Sequence, residues 1–133
     1  MSIAYASGYK YQLASDHVTA VGIALTVNTK FLVMDGMGDL FIRAGYAWDG
    51  PSGPTFDTRN FMRGSLVHDA LYQLMREGHI PEGCREHADR LLRQICLADG
   101  MTPLRAWWVY KGVRFGGGPS AAKGAGRPVQ FAP

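Results

Sequence analysis

The chain has 133 residues, 47% hydrophobic and 19% charged, with a formal charge of +3 and a mean hydropathy of −0.09. That is the size of one domain and a globular composition, so folding should bury roughly two-thirds of the surface an unfolded chain exposes, and a disordered chain does not fit. No apolar run approaches the roughly 18 residues a transmembrane helix needs, and the start MSIAYASGYK has neither a basic n-region nor a long apolar h-region, so neither a span nor secretion is expected.

The first half reads as β. Tyr9 to Leu13 alternates, Val18 to Val27 is rich in β-branched residues, and Lys30 to Met34 and Asp39 to Arg43 flank the turn D-G-M-G-D. Gly36 and Gly38 can take positive φ, so antiparallel pairing across this turn is expected. From Gly45 to Asp57 the sequence GYAWDGPSGPTFD carries three glycines and two prolines, a density that predicts an ordered, bent loop without regular structure.

The second half reads as helix. Thr58 or Asn60 suits an N-cap, and Phe61, Leu66, Val67, Ala70, Leu71, Leu74 and Met75 recur along the following turns until Gly78. A second helix fits Glu82 to Ala98, with Ala88, Leu91, Leu92, Ile95 and Cys96 inward and Gly100 just past its end. Pro103 suits the start of a third, Leu104 to Phe115, whose Trp107, Trp108 and Tyr110 are expected as core or groove contacts. The predicted class is α+β: an N-terminal antiparallel meander, a Gly/Pro loop, and about three helices, two of them an antiparallel pair. Residues 1–118 form the expected single domain, and 119–133 a Gly/Ala/Pro-rich tail suited to a partner protein.

Charge and cysteines narrow the chemistry. Arg59, Arg63, Arg76, Arg85, Arg90, Arg93, Arg105 and Arg114 are scattered, and before Arg105 they are interspersed with acids, which reads as a solvated helix surface; no nucleic-acid motif accompanies them. The stretch Arg105 to Arg127 is basic and free of acids, and is the part suited to phosphate or an acidic partner. Cys84 and Cys96 lie twelve positions apart on one predicted helix or its start, too far to bridge, so reduced thiols in a reducing compartment are expected.

His68 and Tyr72, four apart, share a helix face, while Asp69 is turned by about 100°. A neutral imidazole takes a proton from water near neutral pH when a carboxylate on its other nitrogen fixes the tautomer. Asp89 is the carboxylate chosen, because the short joint Gly78 to Gly83 makes the first two helices neighbours and Asp89 lies beside Ala88 and Leu92. His87 is its rival, and with His68, Asp69 and Asp49 it would make a zinc site instead, although no compact ligand spacing is present. The same residues also suit a buried network that only pins helices together, and Asp49 and Asp57 suit turn caps in the glycine loop. His17 and His79 read as surface histidines.

The run DGPSGPTFDT, LVHDALYQLM, HADRLLRQICLADGM and WVYKGVRFGG resembles a phage and prophage family, domain of unknown function 1353, over roughly residues 30 to 118. The resemblance implies phage origin more firmly than any activity. The glycine loop Tyr46 to Gly53 followed by HDALY resembles, more distantly, phospholipase A2. That likeness implies His68 as base, Asp89 as its orienting acid, Tyr72 as supporting donor, and Asp69 with Asp49 of the loop around calcium. Leu71 stands where that family has cysteine, its disulfide framework is missing, and the N-terminal half here reads as β.

Two functions follow as expectations. One is a phage-encoded hydrolase acting on an ester in lipid or cell envelope. The other is a non-catalytic virion component, such as a tail or baseplate protein, that meets other phage structural proteins through its C-terminal tail. Synthesis places either in the host cytoplasm, and the second would enter the particle.

Overall fold

The computed structural model describes residues 5–6, 11–48 and 59–122. The described residues divide into two compact units, the first up to residue 48 and the second from residue 59, and each is described by itself.

The first unit is antiparallel β. β1 (Tyr5–Ala6), β2 (Tyr11–Leu13) and β7 (Ala47–Trp48) form one sheet in the order β1-β2-β7. β3 (His17–Ala20), β4 (Thr26–Asn28), β5 (Leu32–Asp35) and β6 (Asp39–Ile42) form the other, in the order β3-β6-β5-β4. The expected hairpin is β5-β6, in register Leu32↔Ile42 and Met34↔Leu40, with all four side chains buried. Its turn is closed by Asp35, whose Oδ1 accepts from the N–H of Met37 (2.8 Å) and of Asp39 (3.3 Å). Gly36 and Gly38 supply φ of 83° and 100° there.

Three sequence expectations are corrected in this unit. The run Val18 to Val27 breaks into β3 and β4 around Gly22, at φ 71°. β7 lies inside the segment read as free of regular structure, where Trp48 pairs with Tyr11 across the sheet and their rings sit 5.6 Å apart. His17, read as a surface residue, is buried, as is Thr19, while Val18 is 45% exposed. Directly paired residues of an antiparallel ladder share a face. His17 pairs with Ile42 and Thr19 with Leu40, both in the core, so β6 turns the polar side of β3 inward.

The second unit is helical: α1 (Arg59–Arg76), a 3₁₀ turn (Glu82–Cys84), α2 (Arg85–Ala98), α3 (Pro103–Gly116) and α4 (Gly118–Ala121). α1 and α2 are the expected antiparallel pair. Both end as their glycines predict: the His79 N–H reaches the Leu74 carbonyl (2.9 Å) around Gly78, and the Met101 N–H reaches the Cys96 carbonyl (2.9 Å) around Gly100. Thr102 caps α3, its hydroxyl accepting from the Arg105 N–H, with Pro103 at the first turn. Asn60, one candidate cap of α1, lies within the helix, and Thr58 falls outside the described residues.

Phe61, Leu92, Cys96, Met101 and Ala106 form a core cluster, with Val109 and Val113 packed on it. Leu91, expected inward, is only half-buried. Arg63 forms a two-pronged ion pair with Asp99, at 3.0 and 2.9 Å, tying the start of α1 to the end of α2. α4 packs against α1 with Ala121 buried, so the chain stays in the unit beyond residue 118. Trp107 and Trp108 do not join the core. Ala106, Val109 and Val113 take the inward side of α3, which leaves the indoles exposed.

α1 and α2 meet closely at Gly64, where an added Cβ would stand 2.9 Å from both Cys96 Sγ and Leu92 Cδ1. Gly64→Val is therefore expected to cost about 1–3 kcal/mol through overpacking. Gly112, in α3, has open space around it, so Gly112→Ala should add about 0.5–1 kcal/mol through reduced backbone entropy. Urea unfolding measures both, as midpoint shifts of opposite sign.

Candidate functional site

The hub is Asp89, on α2, with no solvent exposure. Its Oδ1 faces His68 Nε2 at 2.7 Å and accepts the Tyr72 hydroxyl at 2.6 Å, both from α1. Its Oδ2 accepts Arg114 Nη1 from α3 at 2.8 Å, and Arg85 Nη1 stands 3.8 Å away. Arg85 also donates to the carbonyls of Val113 and Arg114, near the end of α3. The four-residue spacing of His68 and Tyr72 brings their rings together at 4.1 Å, so both reach the same oxygen. An added Cβ on Gly117 would stand 2.6 Å from the Tyr72 hydroxyl, so only glycine lets the chain run this close above the phenol.

These partners set the charge states. Burial opposes ionisation of Asp89, but the bonds from His68, Tyr72 and Arg114 outweigh it and hold its carboxyl below the usual range. Burial also opposes an imidazolium at His68, yet Asp69 and Asp89 together raise its pKa above 6.5. Burial and the neighbouring Asp89 push the Tyr72 phenol well above its ordinary value, so it stays a donor. A carboxylate only accepts, so neutral His68 carries its proton on Nε2 and presents a lone pair at Nδ1. Asp69 Oδ1 lies 4.0 Å from that Nδ1, on a side chain 36% exposed.

The structure thus brings together His68, Tyr72 and Asp89 and places Asp69 beside Nδ1. His87 is exposed on α2, consistent with its not being the partner of His68. Asp49 and Asp57 lie outside the described residues, as does most of the glycine loop. Among the described residues no group of three His, Cys, Asp or Glu is arranged to hold a metal ion. Burial pushes the Cys96 thiol up to about 12, which leaves it inert.

Arg85, which sequence reads as solvated surface, is corrected, and Arg114, from the stretch suited to phosphate or an acidic partner, meets a carboxylate of its own chain. A buried carboxylate needs cationic partners, and this requirement was the available signal for looking among the nearby arginines.

A family model described as protein of unknown function (DUF1353) matches residues 25–113. Neither a curated protein nor a solved structure matches the chain.

The two shifts act in opposite directions on stability. Asp89, held low, contributes stability that is complete above the unfolded value of 3.8 and is lost as pH falls through its folded value. His68, held high, contributes stability that is complete below 6.5 and is lost as pH rises through its folded value. The stability difference between wild type and His68→Gln should therefore shrink as pH climbs beyond 6.5. That between wild type and Asp89→Asn should be about 3 kcal/mol at pH 6, because buried donors are left unpaired, and should shrink in acid. Urea melts across the pH range measure both, and flat differences would contradict the assignment.

Proposed function

The chain belongs to the DUF1353 family, and from the geometry of its site we propose that it is a hydrolase in which His68 activates water to cleave an ester in lipid or cell envelope. The observation that carries this reading is the 2.7 Å contact of His68 Nε2 with a carboxylate that two further donors fix in place, which leaves Nδ1 as the base.

In the proposed reaction a water approaches Nδ1 beside Asp69, whose Oδ1 stands 4.0 Å from that nitrogen. His68 takes its proton as the oxygen adds to the ester carbonyl. Asp89 stabilises the imidazolium so formed, and Tyr72 and Arg114 keep Asp89 from turning. Collapse of the tetrahedral adduct breaks the carbon–oxygen bond, and His68 returns the proton to the departing alkoxide, giving an acid and an alcohol.

Calcium belongs to the same reading. Asp69 is the described residue that would hold it, with a partly exposed carboxylate of the oxygen type this cation takes. Bound there, it would supply charge to polarise the carbonyl. A second reading, a non-catalytic virion component with the network as core glue, is favoured by one observation: His68 is only 7% exposed and Asp89 not at all.

Titration calorimetry with calcium, followed on the same samples by hydrolysis of a chromogenic short-chain ester and of phospholipid micelles, tests the proposal. Wild type should bind and hydrolyse, with a rate that rises with pH through a midpoint above 6.5 as His68 loses its proton. Asp69→Asn should lose calcium binding while keeping the fold, and His68→Gln should lower the rate by roughly 10²–10⁴-fold. Turnover that survives in His68→Gln would end the catalytic reading. Absence of turnover in wild type, with His68→Ala less stable by about 1–3 kcal/mol, would leave the structural one.

A further inference from the structure

α3 shows two unlike sides. Ala106, Val109 and Val113 face the helical core. On the opposite side Leu104, Trp108, Lys111 and Phe115 follow at intervals of four, three and four residues, which aligns them along one outward stripe. Trp107 flanks it, edge-on to Trp108 at a centroid distance of 5.3 Å and with Lys111 Nζ 5.6 Å from its ring. Trp108 is 64% and Phe115 88% exposed, and Leu104 and Trp107 are exposed as well. Isolated apolar residues on a surface are ordinary, but four large ones contiguous on one helix face mark a contact surface.

Charge identifies what this surface meets. No Asp or Glu follows Asp99, whereas Arg105, Lys111, Arg114, Lys123 and Arg127 all do. Arg114 is engaged by Asp89, and Lys111 stands in the apolar stripe itself. Tryptophan and phenylalanine beside a lysine, on an acid-free helix, complement a surface that is apolar within and anionic at its edge. Among the described residues no helix is long and apolar enough to cross a membrane, so such a helix would lie on the surface.

We propose that the outward stripe of α3 docks on an anionic lipid surface, with Leu104, Trp107, Trp108 and Phe115 entering the headgroup boundary and Lys111 meeting lipid phosphates. The docking is independent of turnover. It requires neither His68 nor calcium, and it would also bring a lipid-ester hydrolase to its substrate.

Co-sedimentation of the full chain with phosphatidylglycerol/phosphatidylcholine vesicles, compared with pure phosphatidylcholine, reads the proposal, with light scattering of the free protein alongside. Wild type should sediment with the anionic vesicles, release as salt rises, and show tryptophan quenching by brominated acyl chains. Trp108→Ala/Phe115→Ala, which alters only exposed side chains, should bind at least tenfold more weakly with its unfolding midpoint unchanged. His68→Gln should bind as wild type does, which separates this test from that of catalysis. Failure of wild type to bind anionic vesicles overturns the proposal, as does undiminished binding by the double variant. A dimer that the double variant dissolves, without vesicle binding, would assign the face to a second copy of the chain.

Discussion

A carboxylate with no solvent exposure sits among three helices, and the helical unit is arranged around keeping it charged. An isolated buried carboxyl would take up a proton, because the cost of removing its charge from water exceeds anything packing returns. Asp89 avoids this by receiving His68 and Tyr72 on one oxygen and Arg114 on the other. Each donor comes from a neighbouring helix, so the requirement fixes the rotation of α1 and the height of α3 at once. The second arginine, Arg85, reaches past the hub to the last carbonyls of α3 and holds that helix end over the site. Gly117 then runs so close to the Tyr72 hydroxyl that an added Cβ would collide with it.

Much of this could be read from the sequence, because it depends on local rules. The Asp35 to Asp39 turn needed only its glycines and its aspartate, and both helix ends at Gly78 and Gly100 needed only a residue free to take positive φ. Spacing alone put His68 and Tyr72 on one face, and a short joint between two helices was enough to select Asp89 over His87. What escaped was decided across elements. His17 and Thr19 are buried because β6 sets the register of β3, and nothing within H-V-T-A records that. Ala47 and Trp48 became a strand because Tyr11 and Gln12 stand opposite them. Arg63 and Arg85 look like solvated arginines until the carboxylates they meet are located. The tryptophans mislead in the opposite sense, since a helix with small residues on one side packs that side and leaves its large ones outside.

The residues around His68 differ in exposure. Asp89, Tyr72 and the Nε2 edge of His68 are enclosed, whereas Asp69 is one-third exposed and stands beside the remaining ring nitrogen. The Nε2 edge of the ring is thus held rigidly, and the carboxylate beside its other nitrogen is the one that reaches water. His68 and Asp69 divide these surroundings between them because a helix turns about 100° between neighbours.

The contact between Arg114 and Asp89 joins residues 25 positions apart, and synthesis delivers its two ends at different times. As the chain leaves a ribosome, α1 and α2 are available to pair well before α3 has emerged. Until it does, Asp89 lacks the arginine on its second oxygen, and Tyr72 lacks the glycine that closes over it. In a hairpin of α1 and α2 alone Asp89 would keep His68, Tyr72 and the more distant Arg85, and docking of the third helix adds the arginine that its second oxygen accepts. The surroundings of the His–Asp pair are therefore completed by the last part of the unit to be made, and a chain cut short before Arg114 would hold Asp89 by one oxygen fewer.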